Sequence, residues 1–131
     1  MRNTLFTLLF IIPLFICGQT QDEINKLLAE VSNKMNQTLP MEVDSYTTMM
    51  NTYGGMGMVV YNIRLNTDYF NDYGITKSEW LVSQKEQMIN NFCSDPSFKS
   101  FRDLKVNVSW KYIDLNGRFV AQIKLNYMDC N

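Results

Sequence analysis

The stretch KVNVSWKYIDLNGRFVAQIKLNYM, Lys105 to Met128, decides the fold, because an Asn-Gly pair at Asn116-Gly117 divides two runs of alternating apolar and polar residues. Asn-Gly flanked by such runs signals a two-residue hairpin loop. A loop centred there sets Tyr112 against Ala121, Trp110 against Ile123, Val108 against Leu125 and Val106 against Tyr127, every pair apolar. The alternate pairs are Lys111 with Gln122, Ser109 with Lys124, Asn107 with Asn126 and Lys105 with Met128, and they are mostly polar. Side chains alternate across a strand, so one face of this hairpin calls for a core and the other for water.

Working outward, a second hairpin stands upstream. The segment Pro40 to Asn51 is rich in Thr and Tyr and reads as an edge strand. Tyr53-Gly54-Gly55-Met56-Gly57 supplies the turn. Val59, Tyr61, Ile63 and Leu65 then alternate with Val60, Asn62, Arg64 and Asn66 in the return strand.

Two amphipathic helices precede these hairpins. From Asp22 to about Gln37, Ile24, Leu27, Leu28, Val31 and Met35 recur at helical spacing, with Thr20 and Glu23 placed as a capping box. Thr76 and Glu79 repeat that box. They open a helix to about Phe92 whose inner face is Leu81, Met88, Ile89 and Phe92, with Ile75 positioned to staple onto Trp80. Asp95-Pro96 starts a short helical turn, and the intervening Asn66 to Gly74 reads as a solvated loop. The expected architecture is α+β, in the order α-β-β-α-β-β. Two β-hairpins form a four-stranded antiparallel sheet with one face covered by the N-terminal and middle helices, cystatin-like in element content.

Residues 1–18 have the layout of a secretory signal peptide: Arg2, an apolar run from Leu5 to Cys17, then Gly18. Cleavage after Gly18 leaves residues 19–131 as one domain, without a membrane span, in the periplasm or outside the cell. The competing reading is a lipoprotein anchored through Cys17, against which bulky Ile16 stands. Cys93 and Cys130 then remain, and an even pair in an exported chain implies a disulfide.

The chain holds 12 Lys+Arg against 13 Asp+Glu; removing Arg2 with the signal leaves 11 against 13, a net charge of -2. That balance gives no footprint for nucleic acid. There is no His, which removes the commonest general base and metal ligand and with them Ser-His-Asp and Cys-His catalysis. No cysteine spacing fits zinc, no glycine loop fits a phosphate, and Asp68, Asn71 and Asp72 do not match an EF-hand loop, so neither metal nor cofactor is expected. Glu42 and Asp44, two apart in an extended segment, would share a face and could serve a small hydrolase or transferase as acid and base. The plainer reading is that they solubilise an edge strand. The sequons at Asn36 and Asn107 matter only in a eukaryotic secretory pathway.

The poorest patterning and the densest exposed-type residues fall between Pro40 and Tyr73. Glu42, Asp44, Tyr46, Tyr53, Tyr69 and Tyr73 are the candidate binding surface, since Tyr joins apolar area to a polar handle. Met49, Met50, Met56 and Met58 lie in the same region and suit an adaptable contact or a core.

In Pro40-Met41-Glu42-Val43-Asp44-Ser45-Tyr46-Thr47, read as P-x-x-V-D-x-x-T, together with Tyr61-Asn62-Ile63, Cys93-Ser94-Asp95-Pro96, Tyr112 to Gly117 and Cys130, the chain resembles a group of small uncharacterised exported proteins of Gram-negative bacteria. Thr48 stands where such proteins often carry a basic residue. The resemblance implies export, a compact disulfide-linked domain and no established activity, and it supplies no catalytic residues to carry over. The signal segment, the cysteine pair and the missing catalytic constellation together lead to the expectation of a non-enzymatic binding, inhibitor or immunity-like domain, with a structural part of an envelope complex as the alternative. Its partner would be another protein or envelope component.

Overall fold

The computed structural model describes residues 19–130, so the signal segment, its cleavage point and Cys17 lie outside the described residues. The elements are α1 (Gln21–Asn36), β1 (Met41–Glu42), β2 (Thr47–Gly55), β3 (Met58–Leu65), α2 (Asp68–Tyr73), α3 (Lys77–Ser94), α4 (Lys99–Asp103), β4 (Asn107–Ile113) and β5 (Phe119–Leu125). Single 3-10 turns lie at Pro96–Phe98 and Tyr127–Cys130.

The fold is α+β, but the sheet is neither four-stranded nor wholly antiparallel. Five strands lie in sequence order, β1 to β5, and β3 pairs with β4 in parallel. Helix α3 explains that direction. Its 18 residues span roughly 27 Å at 1.5 Å per residue, close to the length of a strand of eight. The chain leaving the far end of β3 is thus carried back to the near end before β4 begins.

The expected edge strand also divides. β1 stops at Glu42, and β2 starts at Thr47. The Asp44 carboxylate accepts the Tyr46 N–H at 2.9 Å, while Thr47 O accepts from Val43 and Asp44 N–H, so the chain reverses and Met41 comes to face Met49.

Helices α1 and α3 carry the capping boxes read from the sequence, Thr20 with Glu23 and Thr76 with Glu79. Asp95 caps the 3-10 turn through the Ser97 N–H at 2.8 Å. Trp80 and Phe92 are the buried residues of α3, while Leu81, Met88 and Ile89 are only partly covered. The region from Asn66 to Gly74 is not a loop. It forms α2, closed by Gly74 in the left-handed conformation at φ 62°, where glycine has no Cβ clash.

The C-terminal ladder keeps the expected register from Val108–Leu125 through Trp110–Ile123 to Tyr112–Ala121. It is shorter than expected: Lys105 and Val106 precede β4, and Asn126 to Met128 follow β5. Its turn also differs. Asp114 N–H donates to Arg118 O at 2.8 Å, the Asp114 carboxylate accepts from Asn116 and Arg118 N–H, and a bulge lies between Tyr112 and Ile113. Asp114 draws the turn into a longer, side-chain-capped loop, and the bulge absorbs the resulting offset.

The inner faces of β3, β4 and β5 meet as Val59 with Val108 and Leu125, Tyr61 with Trp110 and Ile123, and Ile63 with Tyr112 and Ala121, all buried. Tyr61 and Trp110 stack at 5.8 Å with planes 10° apart. Phe98 packs edge-on against Trp110, and Trp80 against Tyr112 at 5.0 Å. Burial of Trp80, Phe98 and Trp110 contributes about 2 to 3 kcal/mol each, whereas Tyr61 also buries a hydroxyl that has no hydrogen-bond partner among the described residues, which offsets part of its gain.

Helix α1 covers β2 through a close backbone approach. A Cβ at Gly54 would lie 2.0 Å from Leu28 O. Beside it Ser32 Oγ meets Thr52 Oγ1 at 2.8 Å, and the Asn36 amide accepts the Thr52 N–H at 2.7 Å and donates to Thr52 O at 2.9 Å. Asn36 therefore satisfies β2 where short β1 no longer reaches. Across the sheet, just past the end of edge strand β5, Cys130 bonds Cys93 in the last turn of α3, with S–S 2.07 Å and Cα–Cα 5.2 Å.

Candidate functional site

The six residues of the candidate surface do not form one patch. Glu42 faces Thr48, which faces Arg64, and Tyr53 faces Val60. Arg64 and Val60 alternate with buried Ile63, Leu65, Val59 and Tyr61, so Glu42 and Tyr53 lie on the sheet face away from the helices. Tyr53 is 53% exposed there.

Glu42 and Asp44 do not share an extended segment, since the strand ends at Glu42 and Asp44 sits in the reversal with its carboxylate engaged by the Tyr46 N–H. Strand alternation therefore does not put both acids on one face.

Tyr46, Tyr69 and Tyr73, by contrast, come together where β2 begins and β3 ends. Asn66, just past β3, donates its N–H to Tyr46 O at 2.7 Å, and its side chain accepts the Asp68 N–H at 3.0 Å. This pair of bonds fixes the start of α2 beside Tyr46. One helical turn then superposes Tyr69 and Tyr73, with ring centroids 4.6 Å apart. Tyr46 meets Tyr69 edge-on at 5.3 Å and Tyr73 at 5.9 Å. Phe70, on the other side of α2, anchors the helix by packing edge-on against Trp80 at 5.6 Å.

The Tyr46 hydroxyl donates to Asp72 Oδ2 at 2.7 Å. That bond holds the proton, with desolvation and the Asp72 charge adding to it, and pushes the phenol up to about 12. Burial, reinforced by Asp44, raises the Tyr112 phenol as well. Tyr73 is 61% exposed, and Asp68 and Asp72 are exposed on the same short helix. Among the described residues neither carboxylate has an ion-pair partner.

Asp72, weighed in the sequence only as part of a loop that does not match an EF-hand, is the member left out of the candidate binding surface. Its signal lay in paired spacing: Asp68 with Asp72 and Tyr69 with Tyr73 are each four apart and end at Gly74, a helix stop. Among the described residues no group of three His, Cys, Asp or Glu side chains gathers to hold a metal, and no helix is long and apolar enough to cross a membrane.

No protein-family model and no curated protein sequence matches the chain. Solved structures do. A protein of Pseudomonas aeruginosa classed as secreted superimposes with a TM-score of 0.74 at 12% identity, covering 87% of this chain and 100% of that one. EpsS, the pilotin of the Vibrio vulnificus type II secretion system, gives 0.68 at 15% identity over 85% of this chain and 94% of its own. AspS, the type II secretion pilotin of Vibrio cholerae, gives 0.64 at 16% over 84% and 94%. The chain shares its fold with pilotins. At these identities the likeness is one of backbone architecture, and the tyrosine cluster is described from this chain alone.

Proposed function

We propose that this protein is an exported, non-enzymatic adaptor that binds another protein of the bacterial envelope, as a pilotin-like domain. The observation that carries the reading is the fold, which accounts for 94% of each of two type II secretion pilotins. The signal-like segment of residues 1–18 and the Cys93–Cys130 bond both suit an oxidising compartment outside the cytoplasm. The resemblance to small exported proteins of Gram-negative bacteria points the same way. An exposed aromatic cluster gives such an adaptor a contact surface.

In-cell crosslinking of the full-length protein, followed by affinity purification and mass spectrometry, tests the reading. The expected result is one envelope protein recovered in near-stoichiometric amount, which then binds the purified adaptor saturably. Recovery of an uncrosslinked monomer from the cytoplasm would overturn it. The intact mass of the recovered chain decides between a Gln19 start and a lipidated Cys17.

A further inference from the structure

We propose that Tyr46, Tyr69, Tyr73 and Asp72 form a receptor for an arginine side chain presented by a partner protein. The inference rests on the adaptor reading for the identity of its partner, while the site itself stands on geometry. Three phenol rings meet within 4.6 to 5.9 Å of one another, and a cation over such rings is attracted by their quadrupoles. Asp72 fixes Tyr46 through Oδ2 and keeps Oδ1 free of any hydrogen bond among the described residues. Asp68, four residues back on the same exposed helix face, adds a second unpaired negative charge.

This combination selects among cations. A guanidinium lies flat on the exposed Tyr73 ring while its edge donates N–H groups to the Asp72 carboxylate. A quaternary ammonium satisfies the rings but has no proton for the carboxylate. A lysine ammonium reaches the carboxylate as a point charge without the planar stack. Calcium finds too few oxygens here, consistent with the absence of a metal-holding acidic group among the described residues.

The test is an NMR titration of the disulfide-bonded protein with N-acetyl-arginine amide, read at the tyrosine ring signals. Saturable shifts at Tyr46, Tyr69 and Tyr73 are expected, with affinity in the millimolar range appropriate to one side chain. Tyr73→Ala and Asp72→Asn, both at exposed positions, weaken binding roughly fivefold, and N-acetyl-lysine amide and tetramethylammonium bind roughly fivefold more weakly than the arginine probe. Tyr53→Ala, on the opposite sheet face, leaves it unchanged. Absence of ring shifts with the arginine probe, or equal binding of tetramethylammonium, would overturn the proposal. Arginine-probe binding without an envelope partner in cells would defeat the adaptor reading and leave the site standing. The reverse pattern would remove the site and leave the adaptor.

Discussion

Met56-Gly57 closes β2 onto β3 with two residues, both at positive φ, 53° and 73°, the geometry of a type I′ turn. Asn116-Gly117, whose composition favours that turn, sits in a longer loop where Gly117 alone takes positive φ, at 80°. In the second loop the Asp114 carboxylate gathers two backbone N–H groups two and four residues ahead, so the conformation is decided within the loop. In the first, methionine occupies a backbone region that suits it poorly. The turn is held from outside instead: the Asn25 side chain on α1 accepts the Gly57 N–H at 2.8 Å, and Gly57 O accepts the Asn107 N–H at 2.9 Å. One hairpin carries its own instructions, and the other takes them from the helix above and the strand beside it.

Substitutions that separate local from tertiary control should show this difference. The largest effect is expected at the covalent tie of the C-terminal hairpin to α3. Replacing Cys93 and Cys130 together by Ala opens a closure across 37 residues and should cost about 4 kcal/mol on the chain-entropy model, read as a fall in urea midpoint. A midpoint unchanged from the oxidised wild type would show that the sheet and α3 hold without the bond.

Gly54→Ala comes next. Its new Cβ meets the Leu28 carbonyl, which is backbone and cannot rotate away, so α1 must lift from β2 at a cost of about 3 kcal/mol. Gly117→Ala, with open space around the Cβ, should cost only about 1 kcal/mol, from backbone strain. Equal losses at the two glycines would abolish the contrast between the hairpins.

Thr52→Val removes the hydroxyl shared with Ser32 and Asn36 in a buried setting. A loss of about 2 kcal/mol is expected, because the remaining polar atoms are left unpaired. The accompanying change should be faster amide exchange in the last turn of α1 and in β2, with β4 and β5 unaffected.

The smallest effect has the opposite sign. Met56 is 82% exposed and contributes little packing, so Met56→Asn, which restores the Asn-Gly pair favoured in this turn, should stabilise the protein by up to about 1 kcal/mol. A destabilised variant in thermal melts would mean that Met56 makes a contact its exposure does not suggest.

The same division applies to the candidate surface. Tyr69 and Tyr73 fall on one helix face by spacing, but α2 is only six residues long, too short to be stable alone, and its sequence reads equally as loop. Phe70 against Trp80 and Asn66 against Tyr46 make it a helix. Tyr46 joins Tyr69 and Tyr73 only because the chain reverses at Asp44 and β2 then runs beside β3. No local pattern ties residues 46 and 72 together. Conversely, Glu42 and Tyr53 are near Tyr46 in sequence and still belong to the other sheet face.

The sequence by itself determined both long helices and their capping boxes, the apolar faces of β3, β4 and β5, and the C-terminal ladder register from Val108–Leu125 to Tyr112–Ala121. These depend on side-chain periodicity and on hydrogen bonds between near neighbours, which the chain carries wherever it goes. The tertiary structure decided the parallel join of β3 to β4, the splitting of β1 from β2, the helical state of α2 and the meeting of three tyrosines with Asp72. Each depends on where a long connection returns or on a contact across the fold, and the energy that selects among the alternatives appears only once the partners are packed.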